Sequence, residues 1–138
     1  MPFLEIRNLE KSFRATRVVK DFSLDIDKGE FVSLLGPSGC GKTTVLRMVA
    51  GFELPSSGAI RIEGADVVAL RPSQRKIGMV FQAYALFPNL TVAQNVAFGL
   101  KIAGIEREKS DARVTEMLKL IGLPDFGKRY PFQLSGGQ

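Results

Sequence analysis

The sequence predicts an α/β fold, and three observations point to it. A nearly continuous apolar run, Phe31-Val32-Ser33-Leu34-Leu35, ends at Gly36 and leads through a glycine-rich loop into residues 42–50, where Val45, Leu46, Met48 and Val49 fall at helical spacing. Ahead of that run, residues 3–9 and 22–26 alternate in polarity as strands do. Beyond Pro88 the apolar period changes to that of helices. The layout expected is a β-rich core with the loop over residues 1–88, followed by a helical subdomain over 89–138.

Taken in chain order, residues 3–9 carry partial alternation, and in 22–26 Phe22, Leu24 and Ile26 alternate strictly with Ser23 and Asp25. Asp27-Lys28-Gly29-Glu30 is a turn in which Gly29 is free to take positive φ. The 31–35 run suits a strand buried on both faces. The helix over 42–50 stops at Gly51. Pro55-Ser56-Ser57-Gly58 separates it from a strand over 59–63, and Gly64-Ala65-Asp66 turns the chain again. After the polar stretch 71–76, Ile77-Gly78-Met79-Val80-Phe81 reads as another buried strand. Thr91-Val92-Ala93-Gln94 has the form of a capping box, so a helix starts at Val92 and runs to about Lys101. A last helix, about residues 106–121, carries Val114, Met117, Leu118 and Ile121 on one face and stops at Gly122. Pro124 and Pro131 keep the approach to the final residues irregular.

At 138 residues, with 45% hydrophobic and 24% charged residues, the chain can bury the core of one domain and is not globally disordered. No window approaches 18 uncharged apolar residues, so no membrane-spanning helix is expected. The start, Met1-Pro2-Phe3-Leu4-Glu5, lacks the features of a signal peptide, and a single cysteine fits a reducing compartment, so a cytosolic site is expected. The net charge of +5 comes from basic residues scattered among acidic ones, with no tract of five or six like charges. That pattern favours a solvated surface or a protein partner over a nucleic-acid groove, and no nucleic acid is expected.

Gly36-Pro37-Ser38-Gly39-Cys40-Gly41-Lys42-Thr43 fits G-x-x-x-x-G-K-[ST] in full, between an apolar run and a helix. Glycines let the backbone wrap phosphates closely, with N–H groups turned inward. Lys42 supplies a compact charge to the β- and γ-phosphates of a nucleoside triphosphate, the Thr43 hydroxyl is a Mg²⁺ ligand, and the helix N-terminus adds its partial charge. Cys40 stands at a free position of the motif, where a small packing residue beside the phosphates is expected rather than a redox centre.

With Thr44, Gln82 and the closing Leu134-Ser135-Gly136-Gly137-Gln138, this loop resembles that of the ATP-binding subunit of an ATP-binding cassette (ABC) transporter. The run Val80-Phe81-Gln82-Ala83-Tyr84-Ala85-Leu86-Phe87-Pro88 is similar to the glutamine loop of importer subunits, and Tyr130-Pro131-Phe132-Gln133 to the approach to their signature. The resemblance covers essentially the whole chain and implies the phosphate-loop nucleotidase core with an antiparallel β region and the start of a helical subdomain. It implies ATP and Mg²⁺ as cofactors, with Lys42 and Gln82 acting at the reacting phosphate and Thr43 and Gln82 holding the metal. Gln82 also lies at the end of an apolar run, where open α/β sheets bind ligands, although a surface amide there is the plain alternative.

The same resemblance implies that Ser135, Gly136, Gly137 and Gln138 serve a nucleotide held by a second subunit, in a head-to-tail dimer. Those residues would begin a helix that offers a hydroxyl and bare N–H groups to an anion. Phe13 matches the aromatic residue that stacks on adenine, against the alternative of a core phenylalanine. Tyr84, Leu86 and Phe87 are either core or part of a groove for a transmembrane permease. The implied partners are permease subunits, a second ATP-binding subunit and, indirectly, an extracytoplasmic solute-binding protein, at the cytoplasmic face of the membrane. Subunits of spermidine/putrescine, iron, phosphonate and sugar importers are the nearest in wording, and no residue reads the solute. A soluble ABC ATPase of DNA repair or translation is the other reading. Family members continue to an aspartate, a glutamate and a histidine that cannot be assigned in this chain, which has no histidine. Nucleotide binding without efficient turnover, and low solubility from unpaired strand edges, are therefore expected.

Overall fold

Residues 1–138 are all described by the computed structural model, which divides into two compact units, 1–79 and 80–138. In the first unit, β1 (Leu4–Phe13), β2 (Thr16–Ile26), β3 (Ser57–Ile62) and β4 (Ala65–Asp66) form one antiparallel sheet in the order β2-β1-β3-β4. Both early strands are longer than alternation suggests, because β1 bends. Asn8 takes φ 45° and Asp21, across the ladder, takes φ 50°, and the register shifts between Ile6 and Leu9. The Asn8 side chain donates to Asp21 Oδ1 at 2.7 Å and its N–H to Ser23 Oγ at 2.8 Å, which satisfies polar groups the bulge would leave bare. This bulge lets Ile6 and Leu9, three apart, both enter the core, and it explains the partial alternation. Gly58 of β3 lies against it: a Cβ there would stand 2.5 Å from the Asn8 carbonyl oxygen.

One face of the sheet carries charge. Arg7 holds both oxygens of Asp25 and also pairs with Glu5, which Arg61 reaches at 2.7 Å. The Arg7 hydrogen bonds hold the Asp25 carboxyl below the usual carboxylate range. Behind the sheet, Ile6, Leu9, Val19 and Ile60 pack with Val67 and with Val45 and Met48 of α1 (Lys42–Ala50). Burial of this set is the main stabilising term for the unit.

The expected strands at 31–35 and 77–81 do not form, and neither run is buried on both faces. Val32 and Leu34 are half-buried, with Leu34 against the core, whereas Phe31 and Leu35 are 92% and 91% exposed. Val80 is 98% exposed. Apolar runs supply side chains for a buried strand, but a strand also needs a neighbour for its N–H and C=O groups. No strand among these residues pairs with either run.

The second unit packs α2 (Val92–Ile102) against α3 (Arg107–Leu120) through Val92, Val114 and Leu118. On the expected apolar face of α3, Ile121 is left exposed. The capping box forms as read: the Gln94 N–H reaches Thr91 Oγ1 at 3.3 Å and the Thr91 N–H reaches Gln94 Oε1 at 2.8 Å. The return half of this device recurs, with Gln74 accepting from the Arg71 N–H and Gln133 from the Tyr130 N–H, at 2.9 and 2.8 Å. No helix is long and apolar enough to cross a membrane.

Candidate functional site: the phosphate loop and the signature turn

Residues 36–41 connect the 31–35 run to α1 without regular structure. Gly39 and Gly41 take φ 79° and 96°, in the left-handed region that favours glycine. Gly41 is also crowded, since a Cβ would lie 2.9 Å from the Val18 carbonyl oxygen on β2. It caps α1 with no side-chain bond, and no hydrogen bond occupies the N–H groups of Gly41, Thr43 and Thr44, while the Lys42 N–H bonds the Cys40 thiol. Three such donors at a helix start, beside a cation, suit an anion.

The Lys42 ammonium donates to the Gly36 carbonyl at 2.6 Å, the Pro37 carbonyl at 2.7 Å and Cys40 Sγ at 3.2 Å. All three N–H bonds are thus spent inside the loop, and the ammonium stands at its centre. Pro37 and Ser38 are exposed, and the Cys40 N–H closes a turn on the Pro37 carbonyl at 3.4 Å. Cys40 itself is exposed. The hydrogen bond from Lys42 is the main cause that draws its thiol below the ordinary cysteine range. Alkylation of Cys40 by iodoacetamide should therefore rise with pH through a midpoint below that of a free cysteine peptide. A midpoint equal to the peptide's would show that Lys42 does not face the sulfur in solution.

The Thr43 hydroxyl lies exposed in the first turn of α1 and makes no hydrogen bond. A cavity of about 610 Å³ adjoins the loop, lined by Thr16, Val18 and Phe22 of β2 and by Leu35, Cys40 and Lys42 among others. Phe13 does not line it. Phe13 ends β1 opposite Thr16 and is 44% exposed, which removes the reading as a core phenylalanine.

Gln82, Ser135, Gly136, Gly137 and Gln138 belong to the second unit. Gln82 is exposed and its amide makes no hydrogen bond. Just beyond it Tyr84 and Ala85 both take positive φ, 57° and 33°, and Tyr84, Leu86 and Phe87 are exposed, so they are not core. Asn95 on α2, which sequence reasoning passed over, holds the next stretch. Its Oδ1 accepts from the Phe87 N–H at 2.9 Å, and its amide donates to the Phe87, Leu90 and Thr91 carbonyls.

Residues 135–138 form a turn rather than the expected helix. The Gln138 N–H reaches the Ser135 carbonyl at 3.0 Å, and Gln138 Oε1 accepts from the Ser135 N–H at 2.9 Å. Ser135 and Gln138 therefore make only the return half of a capping box, with Gly136 and Gly137 between them. Leu134 anchors this turn in the α2–α3 core. Gly136 leaves room for Tyr84, whose hydroxyl would lie 2.9 Å from a Cβ there.

Against known families, the profile described as ABC transporter matches residues 19–138. The chain belongs to the ABC transporter family. It is 53% identical over 138 residues to a spermidine/putrescine import ATP-binding protein, PotA, of Nitrosospira multiformis, covering 100% of this chain and 38% of that protein. It is 55% identical over 137 residues to the putrescine transport ATP-binding protein PotG of Escherichia coli K12, covering 99% of this chain and 36% of that protein. A sulfate/thiosulfate import ATP-binding protein of Gloeobacter violaceus is 53% identical over 96% of this chain and 39% of its own length. The chain thus spans well under half of these relatives. Among solved structures it is similar to the ATP-binding cassette MJ0796, in a dimeric post-hydrolysis state bound to ADP and Pi. The TM-score is 0.88 at 34% identity, over 98% of this chain and 64% of that one.

Proposed function

We propose that this chain is the nucleotide-binding part of an ABC importer's ATP-binding subunit, coupling ATP binding and hydrolysis to solute uptake, with a polyamine as the solute class. The observation that carries it is the loop itself: the three unengaged N–H groups of Gly41, Thr43 and Thr44 at the start of α1, around the Lys42 ammonium. The solute class is supported only by the polyamine import names of several relatives. Residues 1–88 supply the β-rich and loop part and 89–138 the helical part. Permease subunits, a second ATP-binding subunit and, indirectly, a solute-binding protein are the partners, at the cytoplasmic face of the membrane.

In this reading Gly36 to Gly41 wrap the phosphates, and Lys42 exchanges its carbonyl partners for β- and γ-phosphate oxygens. Thr43 and Thr44 add N–H donors at the helix start, and Phe13 stacks on adenine. The donors assigned to Mg²⁺, the Thr43 hydroxyl and the Gln82 amide oxygen, are hard oxygens with no competing hydrogen bond, which suits that ion. When bound it neutralises charge on the phosphates. Gln82 orients the attacking water, and Ser135 with Gly136, Gly137 and Gln138 caps a γ-phosphate on the second subunit. None of these groups is a carboxylate or imidazole, so none takes a proton from water. Titration of the chain with ATP and Mg²⁺ should saturate while phosphate release stays at the buffer rate. Binding no tighter than that of adenosine would overturn the loop assignment, and turnover would overturn the absence of a base.

A further inference from the structure

The Lys11 side chain lies two residues before Phe13, on the same face of β1, and its ammonium sits 4.9 Å from the centre of the Phe13 ring. Its side chain is only 12% exposed. Two partners fix it there: Glu53 Oε1 at 2.5 Å and the Leu54 carbonyl at 2.6 Å. Both belong to the segment leaving α1, where the Phe52 and Glu53 N–H groups bond the Arg47 carbonyl. That segment is itself laid along β1, with the Ser56 N–H on the Glu10 carbonyl at 2.8 Å and the Ser12 N–H on Ser56 Oγ at 3.0 Å. A continuous chain of contacts therefore runs from the helix that begins at the phosphate loop, through Glu53 and Lys11, to the Phe13 ring.

A cation held over one face of an aromatic ring has two effects. It restrains the ring's rotation, and it draws π density toward itself. The rest of the ring then presents a fixed, electron-poorer surface, which suits an electron-rich purine. An ordinary exposed lysine would spread its charge into water, whereas here Glu53 and the Leu54 carbonyl hold the ammonium in place. We infer that Lys11 is a positioning residue for the nucleotide base: held by Glu53, it fixes and polarises Phe13 for stacking on adenine. This inference rests on the assignment of Phe13 to the adenine. It implies that Lys11 contributes to the binding of the base and not to that of the phosphates.

The test compares ATP with inorganic tripolyphosphate, which has the charge and no base, by calorimetric titration of the chain and its variants. Phe13→Ala should weaken ATP binding and leave tripolyphosphate unchanged. Lys11→Met should weaken ATP binding by about three- to ten-fold, again without effect on tripolyphosphate, and should have no further effect when Phe13 is already alanine. If Phe13→Ala leaves ATP affinity intact, the adenine assignment falls and the inference with it. If Phe13→Ala weakens ATP but Lys11→Met does not, or does so equally without Phe13, the role of Lys11 is overturned and that of Phe13 stands. Loss of tripolyphosphate binding in Lys11→Met would also overturn it. Should Lys11→Met fail to fold, Glu53→Gln decides: it removes the charged partner of the ammonium, leaving the Leu54 carbonyl, and should weaken ATP selectively, and unchanged ATP affinity refutes the inference.

Discussion

Replacing Lys42 by alanine is expected to weaken ATP binding by at least about a hundred-fold while the fold survives. The ammonium directs its three N–H bonds to the Gly36 and Pro37 carbonyls and Cys40 Sγ. In the proposed bound state, the same protons turn to phosphate oxygens. Hydrogen bonds involving a charged group contribute about 1.5–3 kcal/mol each. Losing two of them corresponds to two decades or more, at about 1.4 kcal/mol per decade. The cost to folding is far smaller, because Gly36 and Pro37 are exposed and their carbonyls can turn to water. The pairing of effects is therefore the signature: affinity collapses and the melting temperature barely moves. Lys42→Arg should also fail, since a planar guanidinium is wider than the ammonium these two carbonyls hold. Calorimetric titration with ATP measures both variants. Affinity within a few-fold of the parent would overturn the site.

The same locality separates what the sequence made legible from what it did not. The caps of α1 and α2 are local: Gly51 after Ala50 and the Thr91–Gln94 box lie within one turn of the helix they limit, and the structure places both as read. The phosphate loop is equally local, since its spacing and its glycines prescribe the backbone around Lys42. Strand pairing is not local. The runs at 31–35 and 77–81 have the composition of buried strands, yet their neighbours are not determined by their own residues, and neither joins the sheet. The bulge at Asn8 and Asp21 escaped for a similar reason, because two positive φ angles across a ladder leave only a blurred alternation. The largest omission was Arg75, which in sequence is one basic residue in a polar stretch. Charged residues are almost never fully buried, so nothing in the pattern marks it.

Arg75→Ala should accordingly be the most damaging single substitution for stability. Arg75 is 5% exposed, and its guanidinium donates to four carbonyls and to no carboxylate. Nη1 reaches the Met48 and Val49 oxygens at 2.7 and 2.9 Å, in the last turn of α1, where carbonyls lack partners four residues on, although Met48 also accepts from the Gly51 N–H. Nε and Nη2 reach the Leu70 and Val68 oxygens, both at 3.0 Å. The negative end of the helix dipole and these carbonyls stand in for a counter-ion. Burial nonetheless draws the guanidinium below its ordinary pKa, with Asp66 the charge that opposes it. The backbone turns tightly around this group, because a Cβ on Gly51 would lie 2.7 Å from Nε. Alanine would strand several carbonyls and open a cavity that polar atoms line, a loss of about 3 kcal/mol or more. In a unit of this size that lowers the melting temperature by about 10 °C or more. Lysine keeps the charge but reaches fewer of the four oxygens, so Arg75→Lys should fall between the two. The effect should also reach the phosphate loop, since α1 is clamped at its far end by this one side chain. Thermal denaturation followed by circular dichroism measures both variants, and a melting temperature for Arg75→Ala within 2–3 °C of the parent, about 0.5 kcal/mol, would show that water replaces the guanidinium at α1.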